Sequence, residues 1–202
     1  MIKPSDRYTA ALANHPEMLS ESVGGIEARV LLADVGALTI TYVLTGDFIR
    51  VQIPPARPPN RVDGLWCHTC FEAFIGVKDD AAYYEFNFSP SGEWAAYAFR
   101  DYRDGGPIKD NNLDPNIAVR REVEMLELNA IIRLDRLPAM QPGASLRLGL
   151  SAVIEEIDGR ITYWALKHPP GRPDFHHPDN FILEIQPPIV DGTNPIAYTG
   201  KR

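Results

Sequence analysis

Cysteine is nearly missing from this 202-residue chain, which has only Cys67 and Cys70. A single pair cannot form a disulfide framework, and in a reducing compartment the two read as free thiols. No run approaches the ~20 apolar residues that a membrane helix needs. Residues 1–19, MIKPSDRYTAALANHPEML, hold no apolar stretch long enough for the core of a secretory leader, so the chain reads as soluble and cytoplasmic. Positive charge is in deficit, with 20 Lys and Arg against 27 Asp and Glu and a net charge of -7. Such a surface repels phosphate backbones, which argues against nucleic acid as a partner. No nucleophile elbow, phosphate loop or dinucleotide fingerprint occurs.

What is present is proline (18 residues), aromatics and period-two alternation. IEARVLL sets Ile26, Ala28, Val30 and Leu32 on one face, and LTITYVLT does the same with Leu38, Ile40, Tyr42 and Leu44. Residues 34–36 read as the turn between them. IRVQI alternates through Ile49, Val51 and Ile53, and the proline-rich PPARPPNRVDG then reads as a crossover between sheets. TCFEAFIGV, AYYEFNF and WAAYAFR have strand composition. Residues 103–117 read as a long polar loop of the functional or mobile kind. EMLELNAIIRL alternates again, with AVRREVEMLEL as the one helical competitor. LPAMQPG has room for one helical turn, and IDGR joins SLRLGLSAVIEE to RITYWALK as a hairpin. FILEI closes the domain. About ten strands with long connections predict an all-β fold, a single β-sandwich over 25–186. It is preceded by an N-terminal extension, 1–24, and followed by a proline-rich tail, 187–202.

The strand near Trp66 carries the most chemical information. Phe71, Ala73, Ile75 and Val77 alternate as a core face, while Cys70, Glu72 and Phe74 take the other parity. Trp66 and His68 join that second set if the extended run begins early. A Trp beside a Glu on the face away from a sandwich core suits a ligand platform, the indole packing on a ring and the carboxylate accepting hydroxyls. The plainer alternative is a half-exposed Trp over a loop and a solvated Glu. In the next strand Tyr84, Phe86 and Phe88 read as core, and Tyr83, Glu85, Asn87 and Ser89 point the other way. Trp94 and Tyr97 either join the platform or cap the sandwich. Arg100 and Arg103 are partners for Glu72 or a polar ligand, or else surface ion pairs.

LWCHTCFEAFIG, YYEFNFSPSGEWAAYAF, LRLGLSAVIEE and YWALKHPPGRPDFHHPDNFILEI together resemble a bacterial family of DOMON-like proteins, relatives of the family-nine carbohydrate-binding modules. The resemblance covers about residues 25–186. It implies a β-sandwich with a ligand site on one side, in which two tryptophans clasp a terminal sugar and a Glu, an Arg and an Asn bind its hydroxyls. Trp66 and Glu72 match the first Trp and the Glu in order and spacing. Trp164 is the candidate second Trp, although its place relative to the final strand departs from the family pattern. The resemblance admits haem or structural calcium as a cofactor and requires neither.

KHPPGRPDFHHPDNF, residues 167–181, places His168, His176 and His177 with Asp174 in a stiff, proline-punctuated loop. A metal site needs three or four converging ligands, and this spacing matches no zinc pattern. CHTC lacks a second Cys pair and the Cys-x-x-Cys-His order of covalent haem. The loop therefore reads as a rigid polar pocket wall. The function expected from sequence is binding of a small polar ligand, a sugar or glycan fragment, at Trp66, His68, Glu72, Asn87, Trp94, Arg100, Trp164, His168, Asp174, His176 and His177. Haem or metal binding, a protein-interaction module and an uncharacterised hydrolase stand as alternatives.

Overall fold

The computed structural model describes residues 7–33, 36–110, 113–140 and 143–186. Twelve strands run through them: β1 Arg7–Asn14, β2 Val23–Ala33, β3 Ala37–Gly46, β4 Cys70–Val77, β5 Tyr83–Phe88, β6 Trp94–Asp101, β7 Asp104–Pro107, β8 Asn116–Arg121, β9 Met125–Arg133, β10 Leu146–Glu155, β11 Ile161–Ala165 and β12 Leu183–Ile185. The strand path is β7-β6-β5-β4-β10-β11-β1-β2-β3-β9-β8, with β12 beside β10. All of these pairings are antiparallel. No helix among the described residues is long and apolar enough to cross a membrane.

The path folds into two layers at β1. Its residues Arg7–Leu12 pair with β2, while Ala13 and Asn14 pair with β11. One layer is therefore β1-β2-β3-β9-β8 and the other β7-β6-β5-β4-β10-β11. The first shows strict alternation, with Ile26, Ala28, Val30, Leu38, Ile40, Leu126, Leu128 and Ile132 in the core and polar neighbours facing water. The second opposes it with Phe71, Ala73, Ile75, Phe86, Phe88, Leu148 and Leu150. Its own outer face is also covered, since β4 and β5 are buried along almost their whole length. Two smaller apolar clusters lie on that outer face: Phe74, Tyr83, Val153, Ala165, Phe175 and Phe181 in one, and Leu65, Cys70, Ala95 and Tyr97 in the other.

Several expectations change. β1 lies in the stretch read as an N-terminal extension, and β2 begins before residue 25. IRVQI is no strand: Asp47 Oδ1 accepts the Ile49 N–H at 3.0 Å to form a turn, Ile49 is exposed, and only Val51 bridges, to Glu156. Pro54 and Pro55 follow at once and have no N–H to extend a ladder. The 103–117 loop contains β7 and the first residues of β8. Gly105 makes the β6–β7 hairpin close enough to pair, because a Cβ there would lie 2.0 Å from the Ala98 carbonyl oxygen. AVRREVEMLEL resolves into the β8–β9 hairpin, and the IDGR hairpin forms with Gly159 at φ 86. Asp34 and Val35 of the first predicted turn, two residues of LPAMQPG and the 187–202 tail lie outside the described residues.

Candidate functional site

The covered outer face of the second layer encloses a cavity of about 380 Å³. Its floor is the second-parity set of β4 and β5. Glu72 on β4 and Glu85 on β5 both open into it and are only 3% and 6% exposed. Cross-strand register sets Glu72 opposite Asn87 and Phe74 opposite Glu85, so the two carboxyl groups are diagonal neighbours. Trp66, Tyr97, Phe99, Tyr163 and Phe175 form much of the wall, and Arg103, Pro173 and His176 close it.

Each wall residue is held by something nameable. Trp66 sits on a 3-10 turn, Leu65–Cys67, whose entry residue Gly64 has φ 80. Its indole meets Tyr97 edge-on at 5.7 Å, and the Tyr97 hydroxyl donates to Asp63 at 2.9 Å. The loop between β11 and β12 folds back over the sheet. Asn180 anchors it, donating to Ser151 Oγ at 3.1 Å and to the Phe175 carbonyl at 3.0 Å. Asp174 accepts from Tyr102 at 2.6 Å and from the Arg103 guanidinium at 2.7 Å. Burial pushes Asp174 up, but those two donors together hold it below the ordinary carboxylate value.

His176 lies edge-on to Phe74 and Phe99 at 5.1 and 5.0 Å. Its Nδ1 is 2.8 Å from the Tyr83 hydroxyl, which also accepts the Arg103 backbone N–H at 3.2 Å. That leaves the Tyr83 hydrogen for Nδ1 and directs the ring proton on Nε2 toward Glu85 Oε2, 3.5 Å away. Desolvation, with Arg103 nearby, drops the His176 pKa to about 4, so the ring is neutral at pH 7. Desolvation raises Glu85 to about 7, against the lowering effects of the 2.8 Å bond from Asn87 Nδ2 and of Arg103. Desolvation raises Glu72 well above its ordinary value, Glu85 adds to the rise, and Arg103 opposes it. The Glu72 carboxyl accepts no hydrogen bond from the described residues, so its acceptor capacity faces the cavity.

The sequence-nominated residues divide sharply. Trp66, Glu72 and His176 line the cavity. Asn87 lies behind it and braces Glu85, and Asp174 secures Arg103 at the rim. His68 does not continue the β4 parity. It bonds Glu155 at 2.7 Å and lines a different cavity, because the 3-10 turn interrupts the extended run. Trp94 and Trp164 are in the main core, the latter donating to Thr162 Oγ1. Arg100 points to solvent, paired with Asp104. His168 bonds the Ala13 carbonyl, and His177 caps the 3-10 turn Pro178–Asn180. The three loop histidines thus face different partners, and no group of three or more His, Cys, Asp or Glu among the described residues is placed to hold a metal ion. Both thiols are free, Cys67 exposed and Cys70 buried. Not nominated were Glu85, Phe99, Tyr163 and Phe175, while Tyr97 reads from sequence as platform or cap. Glu85 shares parity with Asn87, and that signal was sufficient to find it.

No protein-family model matches the sequence, and no curated protein matches it. Solved structures do share the fold. A crystal structure from Bacteroides uniformis ATCC 8492, described as a "putative carbohydrate-binding protein", aligns with a TM-score of 0.61 at 14% identity, over 86% of this chain and 84% of that one. A family 9 carbohydrate-binding module from Caldicellulosiruptor kristjanssonii, in complex with cellotriose, gives 0.58 at 11% identity, over 95% of this chain and 89% of the module. A family 9 module from the same organism in complex with glucose gives 0.51 at 13% identity, over 91% and 88%. The fold is thus a β-sandwich of the kind found in family 9 carbohydrate-binding modules.

Proposed function

We propose that the cavity binds a carbohydrate, a terminal sugar ring stacked on Trp66 with hydroxyls donating to Glu72. The observation that carries this reading is the buried Glu72 side chain, whose carboxyl has no donor among the described residues and opens into a cavity walled by aromatic rings. That carboxyl is free to accept from a ligand rich in hydroxyl groups, and rings stacked on the ligand's apolar face exclude water. Sugars bound by the module structures of the same fold are consistent with this chemistry.

Calorimetric titration with a panel of neutral mono- and oligosaccharides tests it. Loss of the Trp66 ring or of one Glu72 oxygen acceptor should each remove on the order of 1–3 kcal/mol of binding. Trp66→Ala should therefore bind roughly ten- to a hundredfold more weakly, and Glu72→Gln somewhat less so. Melting curves confirm that both variants fold. Unchanged affinity in both folded variants would place the binding face elsewhere.

A further inference from the structure

The cavity brings two carboxyl groups into one aromatic-walled space. The Glu72 carboxyl has no donor among the described residues, Glu85 has one bond from Asn87, and Asn87 Oδ1 is buried without a partner behind them. Three of the polar groups around them are already engaged. The Arg103 guanidinium is held by Asp174, Tyr97 donates to Asp63, and the Tyr83 hydroxyl is shared with His176. The charges are unbalanced. Arg103 lowers both glutamates but is paired with Asp174, and the His176 ring is neutral, so among the described residues no cation without an acidic partner lines the cavity. Rings of Trp66, Tyr97, Phe99, Tyr163 and Phe175 surround the same space. Aromatic faces and carboxylates together select cations over neutral molecules.

We propose, resting on the carbohydrate reading above, that the sugar this cavity takes is a cationic amino sugar whose ammonium group sits between Glu72 and Glu85. With the cavity empty, burial keeps protons on the pair and repulsion from Glu85 adds to this at Glu72; Glu85 titrates near 7 and Glu72 is raised well above its ordinary value. An ammonium group replaces those protons and converts both groups to carboxylates. The other titratable groups facing the pair are Cys70 on β4, Tyr83 on β5, Tyr97 on β6, Arg103 in the β6–β7 turn, Tyr163 on β11, and Asp174 and His176 in the covering loop. Tyr83, Tyr97 and Cys70 are shifted upward and His176 downward, which leaves the glutamates as the proton source near neutral pH.

The experiment compares glucosamine, galactosamine and mannosamine with glucose, galactose and mannose, and with the N-acetylated amino sugars, by calorimetry at about pH 6, where a free amine is protonated. Two buffers of different ionisation enthalpy count protons. The expected result is at least tenfold tighter binding of one amino sugar than of its neutral and N-acetylated counterparts, with release of more than one and up to about two protons on binding. Glu72→Gln and Glu85→Gln should each reduce that preference severalfold. Neutral sugars that bind as tightly as amino sugars, and weaken in Trp66→Ala, overturn the cationic assignment and leave the carbohydrate reading standing. Absence of binding by every sugar in the panel overturns both.

Discussion

Burial drives Glu85 and His176 in opposite directions, and their effects on stability oppose each other. Glu85 rises from an ordinary value of 4.5 to about 7, so between those values the folded chain holds a proton that the unfolded chain has released. Stability from this group is full below about pH 4.5 and is lost as pH rises through 7. Glu72, also raised, acts in the same sense. His176 falls from 6.5 to about 4, so in that window the unfolded chain takes up a proton the folded chain refuses. Its effect is to raise stability with pH up to 6.5. Between about pH 4.5 and 6.5 His176 offsets one of the two glutamates, and the glutamates alone act above that. Denaturant titrations at half-unit pH steps should show a shallow profile at the acid end and a steeper decline toward pH 8. His176→Gln should steepen the decline between 4.5 and 6.5, and Glu85→Gln should flatten it. Parallel profiles in all three proteins would mean these side chains are solvated.

The segment from Leu166 to Ile182 determines whether the site exists as a cavity or as an open sheet face. Its proline and histidine content marked it as a pocket wall, but its attachment is apolar, through Phe175 and Phe181 against Phe74, Tyr83 and Val153. That was not legible, because nothing in the loop's own sequence says which strand face it covers. The contact is readable from β10 once the fold is known. Gly149 lies beneath Asn180, and a Cβ there would stand 2.7 Å from Asn180 Nδ2 and 3.3 Å from its carbonyl oxygen. Gly149→Ala should therefore push Asn180 off its bonds to Ser151 and Phe175 and destabilise the protein by about 1–3 kcal/mol. Asn180→Ala removes the same bonds together with the side chain in the way. Introducing Gly149→Ala into the Asn180→Ala background should then cost clearly less than in the native chain, a coupling that denaturant melts of the four proteins measure directly. Additive costs would show that the two residues do not share one contact.

Alternation carried the layers of the whole molecule well. The inward sets of β2, β3, β4, β5 and β9 follow the parity of their sequences, and the crossover at 54–64 does pass from one sheet to the other. Parity also assigned Glu72 and Glu85 to one face, although it could not show that this face is covered. Tryptophans were the poorer guide. Trp94 and Trp164 fill the core, as large rings in a sandwich commonly do, and only Trp66 is at the cavity. The larger gap was β1, whose RYTAALAN has too little alternation of large apolar residues to stand out. Yet β1 is the strand that belongs to both sheets. It covers the free edge of β2 along six residues and that of β11 along two, and brings Leu12 into the core. His15, next along the chain, bonds the Gly171 carbonyl at 2.9 Å and so fastens the covering loop. A chain begun at Gly25, the boundary suggested by alternation and the extent of the resemblance, should leave two unpaired edges and a core open along the seam. It should elute as aggregate in size-exclusion chromatography and lose the cooperative thermal transition, because neither sheet can bury its inner face alone. A monomeric product of that truncation, melting cooperatively within a few degrees of the full chain, would show that the sheets hold together without β1.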